Sequence, residues 1–238
     1  MRLLVLFDLD NTLIDRSATF ARWSAEFAVE RRLGDGAVRW LASVDGDGFV
    51  PRERFFAGVR SRFRLPESVE ALCSTYRARM AELARCRDEV LTALADLRAS
   101  GRRIGVVTNG HPSQQVATMR NTGLAAHVDG WAVSEQEGVR KPDPRLFEIA
   151  AARCGGLSLA DGGWCVGDDP VADIGGGRAA GLTTIWVQRI AEWPTGRMDP
   201  PDHRVTDVTG AFEILASGGA QTQLPCAAGG LSGSRGGG

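Results

Sequence analysis

The spacing of apolar residues changes along this chain and divides it into successive regions. Residues 3–7 are continuously apolar, which is typical of a strand buried on both faces of a parallel sheet. From about residue 17 to residue 85 the apolar positions recur at helical spacing, and no strand is predicted there. After residue 87 helical and strand patterns alternate, which predicts a parallel α/β sheet.

The alternating region yields a series of predicted elements. Strands are predicted within residues 103–110, 128–134, 163–169 and 183–189, and helices within residues 88–101, 113–123, 142–155 and from residue 173 onward. We therefore assign residues 1–15 and 86–217 to an α/β sheet domain and residues 16–85 to an all-helical insertion after the first strand. The Gly-rich residues 218–238 predict a disordered tail.

Aromatic residues are frequent in the helical insertion, where they have two interpretations. Trp23, Trp40, Phe55 and Phe56 could pack the helices together or form a platform for a substrate, and we favour packing. Arg16 could reach a polar substrate or lie on the solvated surface.

Composition excludes some functions and leaves others open. The 238 residues include 28 Lys and Arg against 29 Asp and Glu, so no basic face for nucleic acid is indicated. The first apolar run is too short for a signal peptide, and no stretch approaches a membrane span. Five cysteines without a C-x-x-C pair and three isolated histidines favour reduced thiols and no zinc site. We therefore expect a cytoplasmic protein.

Two carboxylates, Asp8 and Asp10, follow the first predicted strand. Residues two apart in an extended chain point to the same side. Open α/β sheets bind ligands beyond the carboxyl ends of their strands, where two close carboxylates would repel each other unless a cation lay between them. The alternative is a solvated acidic turn before the next helix.

Polar residues also follow two other predicted strands. Thr108 and Asn109 end one of them, where a hydroxyl, an amide and loop N–H groups could bind phosphate oxygens. Asp168, Asp169 and Asp173 follow another and offer the oxygen ligands that Mg²⁺ prefers. Each group could instead cap a helix, since Asp is favoured at helix N-termini. Matching polar sets at three strand ends favour one shared site.

Lys141 is the only lysine among the 28 basic residues of the chain. It precedes Pro142 and Asp143, so it could simply lie in a surface turn. A lysine supplies a compact point charge, whereas the planar fork of an arginine requires a bidentate partner. We therefore predict that Lys141 lies between a carboxylate and an anionic phosphoryl group.

The ordered motifs D-L-D-N-T, V-T-N-G, K-P-D-P and G-D-D-x-x-x-D, from Asp8 to Asp173, resemble those of the haloacid dehalogenase (HAD) superfamily of phosphotransferases. The resemblance implies a Rossmann-like parallel sheet core. The helical insertion resembles a C1-type cap of that superfamily by its position and helicity.

The resemblance also implies roles for the motif residues. Asp8 would be the nucleophile that forms an aspartyl-phosphate, and Asp10 would protonate the leaving oxygen and later deprotonate water. Thr108 and Asn109 would hold the phosphoryl oxygens, and Lys141 would bridge them to Asp8.

The same resemblance implies Mg²⁺ as the cofactor. Its ligands would be Asp8, the backbone carbonyl of Asp10, and Asp168. Asp173 would orient these ligands, and Asp169 is a weaker candidate for the same role.

We therefore predict a Mg²⁺-dependent phosphatase that acts on a small phosphorylated metabolite, with neither nucleic acid nor membrane as a partner. A phosphomutase with the same nucleophile is the first alternative, and a binding protein on an inactive enzyme scaffold is the second. Dehalogenation is disfavoured, because dehalogenases of the superfamily resemble D-x-x-G-T and lack the second aspartate, whereas this chain has Asp10 followed by Asn11. The sequence does not specify the phosphomonoester or the oligomeric state.

Overall fold

The computed structural model of the chain describes residues 3–189 and 192–218. The described residues form a sheet of six parallel strands in the order β3-β2-β1-β4-β5-β6. The strands are β1 (Leu4–Phe7), β2 (Arg103–Thr108), β3 (Gly130–Val133), β4 (Trp164–Gly167), β5 (Thr183–Val187) and β6 (His203–Val205). The α/β class predicted from the alternating pattern is therefore confirmed.

Helices cover both faces of this sheet. They are α5 (Asp88–Ala99), α6 (Pro112–Asn121), α7 (Ser134–Glu137), α8 (Pro144–Arg153), α9 (Gly176–Ala179) and α10 (Val208–Ala216). Val5 and Phe7 of β1 pack in one apolar cluster with residues of α5, α6 and α10, whereas Leu4 and Leu6 pack with α8 in another. This alternation explains why the strand is apolar throughout, since both of its faces are buried.

Four α-helices lie between β1 and α5: α1 (Arg16–Glu30), α2 (Ala37–Asp45), α3 (Arg52–Phe63) and α4 (Val69–Leu83). We call residues 16–85 the cap; its boundaries stay an interpretation of the sequence. Trp23, Phe55 and Phe56 are buried in an apolar cluster of the cap, and Trp40 packs against that cluster. These aromatic residues therefore pack the helices together, as predicted.

The structure differs from the predicted elements in a few places. The sequence pattern missed α2, β6 and α10, the first of which begins after a Gly36 with positive φ. The helix expected from Asp173 begins earlier, as a π-helical turn over Pro170–Gly175 that leads into α9. Its start is displaced because the Asp169 side chain caps the turn and Pro170 occupies the first position.

Strand order places a cleft at one edge of the sheet. Because β1 lies between β2 and β4, the strand order reverses at β1. Ligands of open α/β sheets bind beyond the carboxyl ends of the strands at such a point. Among the described residues no helix combines the length and apolarity needed to cross a membrane. Among the described residues, Cys73, Cys86, Cys154 and Cys165 have free thiols. Cys226 and the predicted tail, apart from Gly218, lie outside the described residues.

Candidate active site

The carboxyl ends of β1, β2 and β4 surround a cavity of about 310 Å³. Every site residue predicted from the sequence lines it: Asp8, Asp10, Thr108, Asn109, Lys141, Asp168, Asp169 and Asp173. Parallel strands bring their carboxyl ends to one edge, so residues up to 165 positions apart in the sequence meet there. The structure thus brings the predicted set together.

Lys141 lies at the base of this cavity and is almost fully buried. Its Nζ donates hydrogen bonds to Oδ1 of Asp8 at 2.6 Å, to the carbonyl oxygen of Val107 at 2.7 Å and to Oδ1 of Asp173 at 2.6 Å. An ammonium group has three N–H donors, and each of them has an acceptor here. The ammonium therefore ties the end of β1 to the end of β2 and to the turn after β4.

Two buried oxygen atoms of the cavity lack a hydrogen-bond partner among the described residues. They are Oδ2 of Asp8 and Oγ1 of Thr108. Buried polar atoms are nearly always paired, because an unpaired one loses its bonds to water without compensation. Since both residues line the cavity, the two atoms are available to a ligand that binds there.

Asn109 has a different environment from Thr108. Its Oδ1 accepts a hydrogen bond from the backbone N–H of Lys141 at 2.9 Å, and its Nδ2 donates to the Lys141 carbonyl oxygen at 3.1 Å. The amide therefore holds the backbone of the lysine in place. A direct contact between Asn109 and phosphate stays a prediction.

Asp10 lies beyond the buried Leu9, in the turn that follows β1. Its Oδ2 accepts a hydrogen bond of 2.9 Å from Nε2 of Gln115, which is buried at the start of α6. Sequence reasoning missed Gln115, because a glutamine inside a helix belongs to none of the motifs. The structure alone brings the two side chains together.

The three aspartates after β4 are placed differently from one another. Asp169 caps the π-helical turn, and its Oδ1 accepts hydrogen bonds from the backbone N–H groups of Val171 and Ala172. Asp173 is buried with both oxygens bonded, Oδ1 to Lys141 and Oδ2 to the Asp169 N–H. The carboxylate of Asp168 lies 4.0 Å from the guanidinium of Arg189.

Gly167 permits the close approach of this turn to the end of β4. A Cβ atom at that position would lie 2.3 Å from Cγ of Asp173, a distance that no real side chain tolerates. The glycine therefore sets the position of Asp173, and through it that of Lys141.

Burial and mutual repulsion act on the carboxylates of the cavity. Burial raises the pKa of Asp8 to about 7 although Lys141 opposes it, and burial with the charges of Asp8 and Asp173 raises the pKa of Asp168 to about 9. The pKa of Lys141 moves above its ordinary value, since Asp173 and Asp8 outweigh the opposing effect of burial. The cavity thus holds more negative charge than its single ammonium balances.

The side chains of Asp8, Asp168 and Asp173 fit a divalent cation. Each offers an oxygen atom, and these atoms lie within 4.8 Å of one another. Hard carboxylate oxygens are the ligands that Mg²⁺ takes, and a cation would relieve the repulsion that raises the pKa values. Because both oxygens of Asp173 are already bonded, Asp8 and Asp168 are the better candidates for direct ligands.

The cap contributes charged residues to the lining of the cavity. Arg16 lines the cavity but is buried, and its guanidinium makes two 2.9 Å hydrogen bonds to the carboxylate of Asp45. Arg189, after β5, donates to Asp47 of the cap at 3.3 Å and to Ser17 at 3.2 Å. Arg16 is therefore held by the cap, and Arg189 connects the cap with the sheet.

An open parallel sheet whose central strands end in carboxylates and a hydroxyl, with a buried lysine bonded to one of these carboxylates, defines a Rossmann-like α/β enzyme. A sequence model of haloacid dehalogenase-like hydrolases matches residues 3–181, more than half of the chain. The chain therefore belongs to the haloacid dehalogenase-like hydrolases, and the family resemblance drawn from the motifs is confirmed.

Similar proteins include named phosphatases. Phosphoserine phosphatase of Thermus thermophilus is 36% identical over 119 residues, which are 50% of this chain and 47% of that protein. This match thus spans about half of the relative. Glyceraldehyde 3-phosphate phosphatase of Methanopyrus kandleri is 29% identical over 221 residues, covering 88% of this chain and 91% of the relative.

Solved structures share the fold. The HAD-hydrolase YfnB of Bacillus subtilis, solved bound to magnesium, superposes with a TM-score of 0.71 at 21% identity. The superposition covers 90% of this chain and 99% of that one.

Proposed function

We propose that the protein is a Mg²⁺-dependent phosphatase that hydrolyses a small phosphomonoester through an aspartyl-phosphate on Asp8. One observation carries this proposal: among the described residues, one oxygen of the buried Asp8 carboxylate is held by Lys141 and the other has no partner, and the Thr108 hydroxyl that lines the same cavity has none either. Such a carboxylate is suited to act as a nucleophile whose approach is fixed.

The first half of the reaction uses Asp8 and Asp10. Oδ2 of Asp8 forms a bond to phosphorus as the bond from phosphorus to the ester oxygen breaks, and Asp10 gives its proton to that oxygen so that the alcohol leaves neutral. The Thr108 hydroxyl donates to a phosphoryl oxygen. Lys141 holds Oδ1 of Asp8, and its charge offsets part of the negative charge of the phosphoryl group.

The second half removes the phosphoryl group from Asp8. Asp10, now ionised, takes a proton from a water molecule as that water forms a bond to phosphorus and the bond to Asp8 breaks. Phosphate leaves, and both aspartates return to their starting states. A proton donor and acceptor at residue 10 suits an alcohol leaving group, whereas loss of a halide needs no proton.

Asp8 and Asp168, with the backbone carbonyl of Asp10, would hold Mg²⁺, and Asp173 would orient them through Lys141. When bound, the ion supplies positive charge for the phosphoryl oxygens and keeps the surrounding carboxylates ionised.

The size and lining of the cavity support a small polar substrate. The cavity of about 310 Å³ is at the lower end of ligand-binding cavities. It shares Gly48, Phe49, Asn109 and Arg140 with a neighbouring cavity of about 430 Å³, which the cap also lines. We infer that the phosphoryl group binds at Asp8 and that the rest of the ester extends toward Phe49 and Arg140.

Phosphate release from p-nitrophenyl phosphate, with Mg²⁺ and with EDTA, tests the proposal. We expect release that requires Mg²⁺ and that Asp8→Asn abolishes, while Asp161→Asn, at an exposed residue outside the cavity lining, retains it. Activity in Asp8→Asn equal to that of the wild type would refute the nucleophile. A sugar phosphate that is isomerised without release of free phosphate would instead support the mutase.

A further inference from the structure

Gln115 is the side chain that determines how Asp10 is held. Its Nε2 lies 2.9 Å from Oδ2 of Asp10 and 3.4 Å from the carbonyl oxygen of Asn109. Both neighbours are acceptors, so the NH₂ end of the amide must point toward them. The orientation of the Gln115 amide is therefore fixed by its surroundings.

The backbone next to the amide is shaped to admit it. Gly110 has a φ of 155°, and a Cβ atom there would lie 2.7 Å from Nε2 of Gln115. Gln115 itself is 2% exposed, and its Oε1 is buried without a hydrogen-bond partner among the described residues. A buried acceptor left unpaired is unfavourable for stability, so the position of this amide is not explained by stability alone.

The amide also determines which oxygen of Asp10 can carry a proton. Because an N–H group donates to Oδ2, a proton on Oδ2 would be opposed by that donor, and the proton belongs on Oδ1. Oδ1 makes no hydrogen bond to the part of the chain that the structure describes, and Asp10 lines the cavity with Asp8.

The neutrality of the amide matters as well. A lysine or arginine in this position would favour the ionised carboxylate strongly, whereas a neutral N–H group can bond to Oδ2 in either protonation state. A residue that must alternately give and take a proton needs such a partner.

We propose that Gln115 is a positioning residue for proton transfer: by occupying Oδ2 of Asp10, it places the transferable proton on Oδ1, toward the leaving oxygen. This inference rests on the proposed phosphatase function and on the role of Asp10 in it. Gln115 does not touch the reacting atoms and acts through Asp10.

The test compares esters whose leaving groups differ in their need for a proton. Nitrophenolate leaves without protonation, whereas the alkoxide of an alkyl phosphate does not. In Gln115→Met, which keeps the side-chain length but lacks the donor, we expect kcat/KM to fall on the order of 30-fold for an alkyl phosphate and less than about 3-fold for p-nitrophenyl phosphate. Gln136→Met, at an exposed glutamine of α7, should change neither value.

A double-mutant comparison separates positioning from packing. If Gln115 acts through Asp10, adding Gln115→Met to Asp10→Asn should change kcat/KM for phenyl phosphate by less than about 2-fold. The proposal would be overturned if Gln115→Met lowered kcat/KM equally for the alkyl phosphate and for p-nitrophenyl phosphate. It would also be overturned if the effects of Gln115→Met and Asp10→Asn on phenyl phosphate were fully additive. If the Tm of Gln115→Met is lower than that of the wild type, Gln115→Leu serves as a second variant.

The two proposals fail in different ways. If the wild-type protein with Mg²⁺ releases phosphate from neither ester, the phosphatase function fails, and with it the inference on Gln115. If the wild type hydrolyses both esters and the variants do not discriminate between them, the inference on Gln115 alone is refuted.

Discussion

The ammonium of Lys141 lies 2.6 Å from Oδ1 of Asp8, and both side chains are almost fully withdrawn from solvent. The same ammonium donates to the carbonyl oxygen of Val107 and to Asp173. A single small donor with three N–H groups meets three acceptors that converge on one point. This arrangement explains why a lysine, and not an arginine, occupies this position.

Lys141→Arg should therefore impair the protein severely although it preserves the charge. The planar guanidinium is larger and cannot direct three bonds to acceptors grouped around one atom. We expect kcat to fall on the order of 100-fold, because the orientation of Asp8 and the positive charge beside it are both altered. Phosphate release at saturating substrate measures this effect.

Arg145→Lys provides the matched control for this exchange. Arg145 is an exposed residue of α8 that pairs with Asp143, four residues along the chain from Lys141. It should retain wild-type activity. Wild-type kcat in Lys141→Arg would show that the convergent geometry at Nζ is not needed.

The sheet could be predicted from the sequence because its strands are short apolar runs separated by amphipathic helices. The pattern failed for α2, β6 and α10. β6 has three residues, too few to show a period, and α10 carries the short, mainly apolar stretch AFEILA, which resembles a strand as much as a helix. Such elements form because the rest of the fold packs against them, and a local pattern cannot show that.

Only some residues of the candidate site could be predicted from the sequence. Residues at strand ends could be predicted, since parallel strands bring their carboxyl ends together. Gln115 and Asp45 could not, because their partners Asp10 and Arg16 are 105 and 29 residues away and no spacing rule connects them. Asn109 was expected to contact phosphate, yet its side chain bonds to the backbone of Lys141, a partner that only the folded chain supplies.

Asp168→Asn should separate metal binding from catalysis. Removing one carboxylate from a cluster that repels itself should raise the thermal midpoint in EDTA. In the wild type, Mg²⁺ at 100 times its Kd should stabilise the fold by about 2.7 kcal/mol, which corresponds to roughly 5 to 10 °C in Tm. The variant should lose most of that increase, and calorimetry with and without Mg²⁺ measures both effects.

Asp161→Asn, remote from the cavity lining, should keep the full Mg²⁺-dependent increase in Tm. If Mg²⁺ raised the Tm of Asp168→Asn by as much as that of the wild type, Asp168 would not be a ligand of the ion. No increase in the wild type would argue against the magnesium site altogether.

The buried pair of Arg16 and Asp45 should make stability depend on pH at the acid end. Burial alone would raise the pKa of Asp45, but the hydrogen bonds and charges of Arg16 and Arg52 lower it overall. A group whose pKa is lower in the folded state stabilises the fold above its unfolded pKa and loses this contribution as pH falls through the folded value. Asp45→Asn should therefore cost about 3 kcal/mol between pH 5 and 8.

Urea unfolding at pH 7, 5 and 3 measures the difference between this variant and the wild type. The difference should be constant from pH 7 to 5 and should begin to shrink below the ordinary Asp pKa of about 3.9. Glu82→Gln, which removes an exposed partner of Arg79, is the control and should leave stability unchanged. A difference that grows toward low pH would contradict the assigned ion pair.

The free energy of unfolding should change in opposite directions when Gly167 and Gly58 are each replaced by alanine. In Gly167→Ala the new methyl group would lie 2.3 Å from Cγ of Asp173, so the turn after β4 must move, at a cost of about 3 kcal/mol. Gly58 is exposed within α3 and has open space around the position of a Cβ, so Gly58→Ala should stabilise the protein by about 0.5 to 1 kcal/mol.

Urea unfolding gives both free energies, and phosphate release shows which change reaches the site. Because Asp173 bonds to Lys141, Gly167→Ala should also lower kcat, whereas Gly58→Ala should not. If Gly167→Ala unfolds at the wild-type urea concentration and keeps its kcat, the close approach of the turn to β4 does not position Lys141. If it loses stability but keeps kcat, the turn supports the fold without setting the geometry of Asp8.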